Sequence, residues 1–377
     1  MLISQLFKEI DPEIGNILKK GQDHEELAAG EALKLFKVTG KEFLALQYVA
    51  DQICREKTDD VITFVKNRNI NFTNICFKHC KFCSFNVSKN NPDAFLLTLD
   101  EIRKKVLGAK QKGCTEVCIQ GGINRDVDYE FYIQILNTVK EIAPNMHIHA
   151  FSPQEVQYMT SLNGGTISNT LEELKQNGLD SMPGTAAEIL DDDIRKIICP
   201  NKISVSQWVE IIKTAHKVGI PTTSTMMYGH IETIEHRVKH LEILRDIQKE
   251  TGGITEFVPL SFVKENPDLS KLKKYPLNPS YGLSDLKIIS VARLFLNNFR
   301  NIQTSWVKLG PKFAQVSLNY GANDFSGTLM EENISRSAGG EFGQYLSSEE
   351  IIEIIKLAGK HPAQRTTTYE ILKYYKE

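Results

Sequence analysis

The stretch Cys76-Phe77-Lys78-His79-Cys80-Lys81-Phe82-Cys83 sets three thiols at the spacing C-x3-C-x2-C. It follows an extended-looking run, Val61 to Val65 and then Asn69 to Thr73. Three thiolates so close together are metal-ligand chemistry, yet no fourth Cys or His stands at tight spacing beyond Cys83. A closed zinc or iron–sulfur site takes four ligands. Three readings are open: one face of a buried helix, a structural zinc site completed by His79 or a distant residue, or a 4Fe–4S cluster held through three irons with the fourth iron free. Lys78, His79 and Lys81 between the thiols make a buried helix unattractive. Phe77, Phe82 and Phe85 would shield a cluster and tune its potential.

Outward from this loop the chain alternates between short apolar runs and helical periods. Strands are expected at 61–65, 69–73, 115–120, 146–150, 179–182, 221–227, 255–262, 302–309 and 316–319. Helices are expected at 98–113, 128–142, 153–161, 168–177, 206–217, 233–250, 284–299 and near 311–316. Thr98-x-x-Glu101, Ser204-x-x-Gln207 and Ser347-x-x-Glu350 are capping boxes, and Gly113, Gly178 and Gly219 are helix stops. Repeated β–α units imply a parallel sheet, and about eight of them suggest a closed barrel, although spacing alone leaves an open sheet possible. Ahead of them, residues 1–57 read as a helical cap with helices over 4–19, 25–36 and 43–55, the last opened by Thr39-x-x-Glu42. The expected division is a helical extension 1–57, a barrel core 58–327 and a C-terminal extension 328–377 with one capped helix.

Composition narrows the function class. The formal net charge of −2 gives no basic excess for nucleic acid or an anionic membrane. No apolar run is long enough to span a bilayer, and Met1 to Glu9 does not read as a signal peptide. Seven cysteines, an odd number in a long chain, argue for free thiols and a reducing cytoplasm. Polar residues gather where strands end: the cysteine loop, Gly121-Gly122, His149 and Ser152, Pro183-Gly184, then Tyr228-Gly229-His230 with Glu232. In a parallel barrel those ends share one face, where active sites sit.

A three-thiolate loop after the first strand region of such a chain resembles the radical S-adenosylmethionine (radical SAM) superfamily. The resemblance implies an α/β fold, a (β/α) TIM-like barrel. It also implies a 4Fe–4S cluster on Cys76, Cys80 and Cys83, whose open iron chelates S-adenosylmethionine and whose electron releases a 5′-deoxyadenosyl radical. On matching positions it assigns the adenine contact to the backbone of Phe82 and the methionine amino group to Gly121-Gly122. Glu188 would hold ribose hydroxyls, and Arg195 would pair with the cofactor carboxylate.

Seven further stretches sharpen this: Cys118 to Gly122, His147 to Glu155, Ser181 to Leu190, Ile198 to Lys202, Met227 to Glu232, Gly321 to Asp324 and Gln364 to Tyr369. From about residue 40 onward they resemble the CofH family, the second subunit of the coenzyme F0 synthase system, with MqnE, MqnC and CofG as near relatives. Thr185-Ala186-Ala187 favours CofH over the MqnE type. The resemblance implies transfer of a 4-hydroxybenzyl group from L-tyrosine to 5-amino-6-(D-ribitylamino)uracil, a CofG-like second subunit and a reducing electron donor. Expected catalytic residues are His149, Tyr228, His230 and Glu232; expected substrate-binding residues are Ser152, Asn323 and Asp324. The alternatives are an MqnE-type enzyme joining a different radical acceptor and a non-catalytic zinc protein on a barrel scaffold.

Overall fold

The computed structural model describes residues 5–375, so the first residue of the helix expected at 4–19 and the opening of the stretch read for targeting lie outside the described residues. Helix formation follows the caps. Asp11 accepts the Glu13 N–H (2.7 Å) ahead of Pro12–Gln22, with Pro12 in the first turn, where a missing N–H costs nothing. Ala29–Lys37 and Gly40–Thr58 follow. Thr39 precedes the third helix but makes no side-chain cap; Glu42 accepts from Asp11 N–H instead. The capping boxes at Thr98, Ser204 and Ser347 form as the sequence reads.

Nine strands are described: β1 Val61–Val65, β2 Asn67–Asn71, β3 Glu116–Gln120, β4 His147–Ala150, β5 Thr222–Tyr228, β6 Ile254–Ser261, β7 Asp324–Gly327, β8 His361–Arg365 and β9 Ile371–Tyr374. β1 and β2 are one extended run broken at Lys66. Parallel pairing passes from β2 to β3 to β4, through single bridges at Ser181 and Met182 to β5 and β6, through Ile302 and Gln303 to β7, and from β7 back to β1. The ring of parallel staves is therefore closed, as the repeated β–α units suggested. Its staves at 181–182 and 302–303 shrink to bridges. β5 is buried along its whole length and reads as a continuous apolar and threonine run, as a stave covered on both faces should.

Three expectations are corrected. The strand expected at 302–309 ends at Gln303, and Trp306–Leu309 is helical. The strand expected at 316–319 does not exist: Pro311–Ser317 is a helix, opened by a proline in its first turn, and the stave is Asp324–Gly327. Short apolar runs do not distinguish helix from strand by periodicity alone. The tail also holds more than a capped helix. β8 pairs in parallel with β1 residue for residue, from Val61 with His361 to Val65 with Arg365, and β9 returns antiparallel on β8. β1 thus has β7 on one edge and β8 on the other. Outside the barrel, the helix Gly40–Thr58 packs on the helix Leu283–Phe295, tying the N-terminal cap to the core.

Candidate active site

The cysteine loop leaves β2 at the C-terminal rim of the barrel and is pinned from several sides. Cys76 N–H bonds to Val87 O (3.1 Å), Phe77 N–H to Ile123 O (3.1 Å) and Lys81 N–H to Ile198 O (2.8 Å). Asn201 Nδ2 donates to Lys78 O at 3.2 Å, and Asn86 donates to Cys83 O. Backbone bonds of this kind hold three thiols without a helix or a disulfide; all seven cysteines are free. Burial pushes the thiols of Cys80 and Cys83 up, so both stay neutral until a cation draws the proton off.

All three cysteines line a single cavity of about 420 Å³ inside the barrel mouth. Gly122 closes over the loop: a Cβ there would lie 2.3 Å from Ile75 O and 2.9 Å from Cys76 Cβ, so only glycine allows this approach. Gly121 is equally tight against the Phe72 ring at 2.4 Å. Gly121 N–H donates to Glu155 Oε1 (3.0 Å), while Glu155 Oε2 accepts the N–H and hydroxyl of Ser152 (both 2.7 Å). Burial pushes the Glu155 carboxyl up to about 7, against the pull of those hydrogen bonds. Glu188, in a left-handed backbone conformation (φ 49°), pairs with Lys202 Nζ at 2.5 Å on the cavity wall. Burial alone would lower Lys202, but the Glu188 carboxylate outweighs it and keeps the ammonium above its ordinary value. Lys202 also stands 5.3 Å over the Phe82 ring.

The donor set fits a three-iron anchorage. A cubane asks one thiolate of each of three irons, so the sulfurs need not converge; among the described residues no three His, Cys, Asp or Glu side chains converge on a single-ion site. Phe82, Gly121, Gly122 and Glu188 stand on the same cavity wall, where a cofactor bound to the fourth iron would lie.

Of the residues expected to act on substrate, His149 and Ser152 also line the cavity. Ser152 is engaged as the N-cap of Pro153–Asn163. Burial pushes His149 down to about 4, so its ring is neutral near pH 7. Six other expected residues do not line the cavity. Arg195, 3% exposed, sends Nη1 to Ala186 O (3.1 Å) and Ala187 O (2.5 Å) and Nη2 to Ile203 O (2.6 Å); it clamps the loop that carries Glu188 and has no reach to a cofactor carboxylate. Asn323 is saturated by Arg293 Nη2, Ile302 N–H and Asn301 Oδ1. Asp324 is saturated by Arg365, Thr63 and Ser326 N–H. Glu232 is buried, bridging Arg237 and the N–H groups of Gly229 and His230. His230 packs its ring on Phe262 and its Nε2 on Met227 O (3.1 Å), and Tyr228 is buried beside Asp285 and Arg237. These three shape the turn after β5 from behind the wall.

The cavity floor was not anticipated. Asn67, Asn69 and Asn71 on β2 and Glu116, Cys118 and Gln120 on β3 alternate into the lumen, and the signal was available as the asparagine repeat at every second position of β2. Glu256 and Gln303 come from the β6 side, and Arg365 and Thr367 from β8 and the turn after it. Glu116 accepts from Asn67 Nδ2 (2.9 Å) and Thr367 Oγ1 (2.6 Å).

A closed parallel barrel whose C-terminal rim carries three thiolates short of a fourth ligand defines a radical SAM enzyme. Comparisons with known proteins agree. The radical SAM superfamily model matches residues 70–244, and the model described as the CofH/MqnC C-terminal region matches residues 251–377. The chain is 54% identical to the 5-amino-6-(D-ribitylamino)uracil–L-tyrosine 4-hydroxyphenyl transferase of Archaeoglobus fulgidus, covering 86% of this chain and 92% of that one. It is 52% identical to the protein of the same name from Methanocaldococcus jannaschii, over 92% and 97%. Among solved structures, methylornithine synthase (PylB) superposes with a TM-score of 0.72 at 18% identity, over 92% of this chain and 97% of that one. The FeFe-hydrogenase maturase HydG does so at 0.74 and 16%, over 97% and 79%; both likenesses concern the fold. The chain belongs to the radical SAM superfamily and, within it, to the family that these 4-hydroxyphenyl transferases form.

Proposed function

We propose that this protein transfers the 4-hydroxybenzyl group of L-tyrosine to C5 of 5-amino-6-(D-ribitylamino)uracil, as the names of its close relatives state the substrates. The product is 5-amino-5-(4-hydroxybenzyl)-6-(D-ribitylimino)-5,6-dihydrouracil, with 2-iminoacetate, 5′-deoxyadenosine and methionine, on the way to coenzyme F0. The observation that carries this reading is one continuous cavity with three cysteines at its rim and a hydrogen-bonding floor below them. Such a space can hold a cofactor and two polar substrates together, away from bulk water.

When bound, the reduced 4Fe–4S cluster and S-adenosylmethionine supply the 5′-deoxyadenosyl radical that takes hydrogen from the tyrosine amino group. The chain's own residues hold and orient. Cys76, Cys80 and Cys83 would anchor three irons. The peptide edges of Phe82, Gly121 and Gly122 would receive the adenine and the methionine amino group, with Glu155 fixing the Gly121 N–H direction. Glu188, steadied by Lys202, would hold the ribose. Neutral His149 can exchange a proton with an amine or phenol without the cost of burying an imidazolium. A separate CofG-like enzyme closes the deazaflavin ring, and a low-potential donor reduces the cluster. No helix among the described residues is long and apolar enough to cross a membrane. Seven free thiols support a reducing, cytoplasmic setting.

The test is anaerobic reconstitution followed by incubation with a reductant, S-adenosylmethionine, tyrosine and the diaminouracil, read by mass spectrometry. Adduct formation with stoichiometric 5′-deoxyadenosine is expected, and Cys80→Ala should abolish both. Cofactor cleavage without adduct, under conditions where a relative makes it, would refute the substrate assignment.

A further inference from the structure

At the base of the cavity, three donors converge on one oxygen of Glu256. Gln303 Nε2 lies 2.9 Å from Oε2, Arg365 Nη2 lies 3.5 Å from it, and the Tyr369 hydroxyl bonds to the same atom. Oε1 receives no hydrogen bond from the described residues, although Glu256 is only 6% exposed and lines the cavity. His149 shows the same asymmetry. Its Nδ1 is held by Ser181 Oγ at 2.7 Å, and that hydroxyl also meets His147 Nε2 at 2.7 Å. His149 Nε2 has no partner among the described residues, on a ring 7% exposed. Neither atom is an orphan sealed in protein; both face the lumen. Buried polar groups are paired in the working state of a protein, so two aimed at one cavity specify what should fill it.

We propose that this floor, centred on Glu256 Oε1 and His149 Nε2, is the binding site for the polar edge of the ribitylaminouracil, with a ring N–H or amine donating to Glu256 Oε1, and that the tyrosine lies above it toward the cysteine loop. The inference rests on the functional reading given above. Charge separates the two substrates. Asp324 pairs with the single guanidinium of Arg365, and Glu116 adds a second carboxylate to the same floor, so the floor has no net positive charge whatever the state of Glu256. An amino-acid carboxylate is repelled there. An uncharged ring bearing N–H groups, amines and ribityl hydroxyls offers the donors that Glu256 Oε1 lacks. Lys308, by contrast, lines the cavity on the side of Glu332 and Cys83, and no carboxylate among the described residues comes within ion-pair distance of it. It suits the tyrosine carboxylate. The partition also places the amino group that must lose hydrogen near the cofactor, and the acceptor ring one layer deeper.

Glu256→Gln keeps the shape and turns one acceptor into a donor. In the reconstituted holoenzyme, KM for the diaminouracil should rise about tenfold or more while KM for tyrosine moves less than about twofold. Iron content and melting temperature report whether the variant has folded. If it has not, His149→Gln carries the same test. A rise confined to tyrosine assigns the floor to the amino acid and overturns the proposal, as does a diaminouracil KM that stays put. Failure of the wild-type protein to make adduct would instead remove the functional reading, so the two failures are told apart.

Discussion

Gly122→Ala isolates the contact between the glycine turn and the cluster loop. Its new methyl group would sit 2.3 Å from Ile75 O and 2.8 Å from Ile75 C. Real Cβ atoms essentially never come within 3.0 Å of a heavy atom, so the two backbones must part by ~0.7 Å or more. The obstacle is main chain, which has no rotamer to escape into, and it belongs to the residue before Cys76. Overpacking of this kind costs about 1–3 kcal/mol. In a chain this long that lowers the melting temperature by only a few degrees, roughly 2–4 °C per kcal/mol or less. The effect on the site should be much larger than the effect on the fold, because one of three thiolates is displaced relative to the others. Gly253→Ala is the matched control: its Cβ would also meet an atom at 2.3 Å, but on the His216 ring, away from the cavity. Anaerobic reconstitution of both variants, followed by iron analysis, should give clearly substoichiometric iron for Gly122→Ala. Gly253→Ala should bind about four irons per chain, as expected for a full cluster. Equal iron in the two variants would show that the approach of Gly122 does not position Cys76.

Two further outcomes are expected. Arg195→Met leaves three buried carbonyls without their donor and should cost about 3–5 kcal/mol of stability, read as a lower urea midpoint; Arg195→Lys should restore only part of it. Unchanged stability with a weakened affinity for S-adenosylmethionine would return Arg195 to the cofactor. Burial pushes His149 and His216 down to about 4 and His240 to about 3, below their value of about 6.5 when unfolded. Their contribution is therefore full above pH 6.5 and is lost as pH falls toward 4, at up to ~1.4 kcal/mol per pH unit for each histidine. His216→Gln, which keeps a partner for Thr251 or Thr222, should flatten urea midpoints measured between pH 7 and pH 5; an unaltered slope would contradict the assignment.

What could be read from the chain was local. The cysteine spacing, the capping boxes at Thr98, Ser204 and Ser347 and the glycine stops depend on residues a few positions apart, and they form as written, whereas Thr39 makes no cap because Glu42 turns to Asp11 N–H. The wall residues Phe82, Gly121, Gly122 and Glu188 fall together because each lies in the connection that follows the C-terminal end of a stave, and stave ends share a face. Arg195, Asn323 and Asp324 misled because a polar residue beside a motif looks free until its partners are known. Those partners lie 8 or 9 residues away for Arg195, 21 to 30 for Asn323, and as far as 261 for Asp324, which Thr63 reaches. The floor was legible in principle, since Asn67, Asn69 and Asn71 repeat at the period of a strand. Its other half comes from β8, whose sequence His-Pro-Ala-Gln-Arg has little strand propensity of its own. β8 is a strand because β1 offers it an edge.

The pairing of β8 with β1 joins positions separated by 300 residues, as in Val61 with His361. During synthesis at about 5–20 residues per second, the cysteine loop therefore leaves the ribosome tens of seconds before Arg365 and Thr367 exist to close the floor. Once Asp324–Gly327 has closed the ring, the nascent barrel has its metal-binding rim but no base until β8 follows, and the edge of β1 that β8 will cover is bare. The enzyme thus has a natural order of assembly. Its iron-binding loop can be loaded while the lumen is still open from below, and the substrate chamber is sealed last.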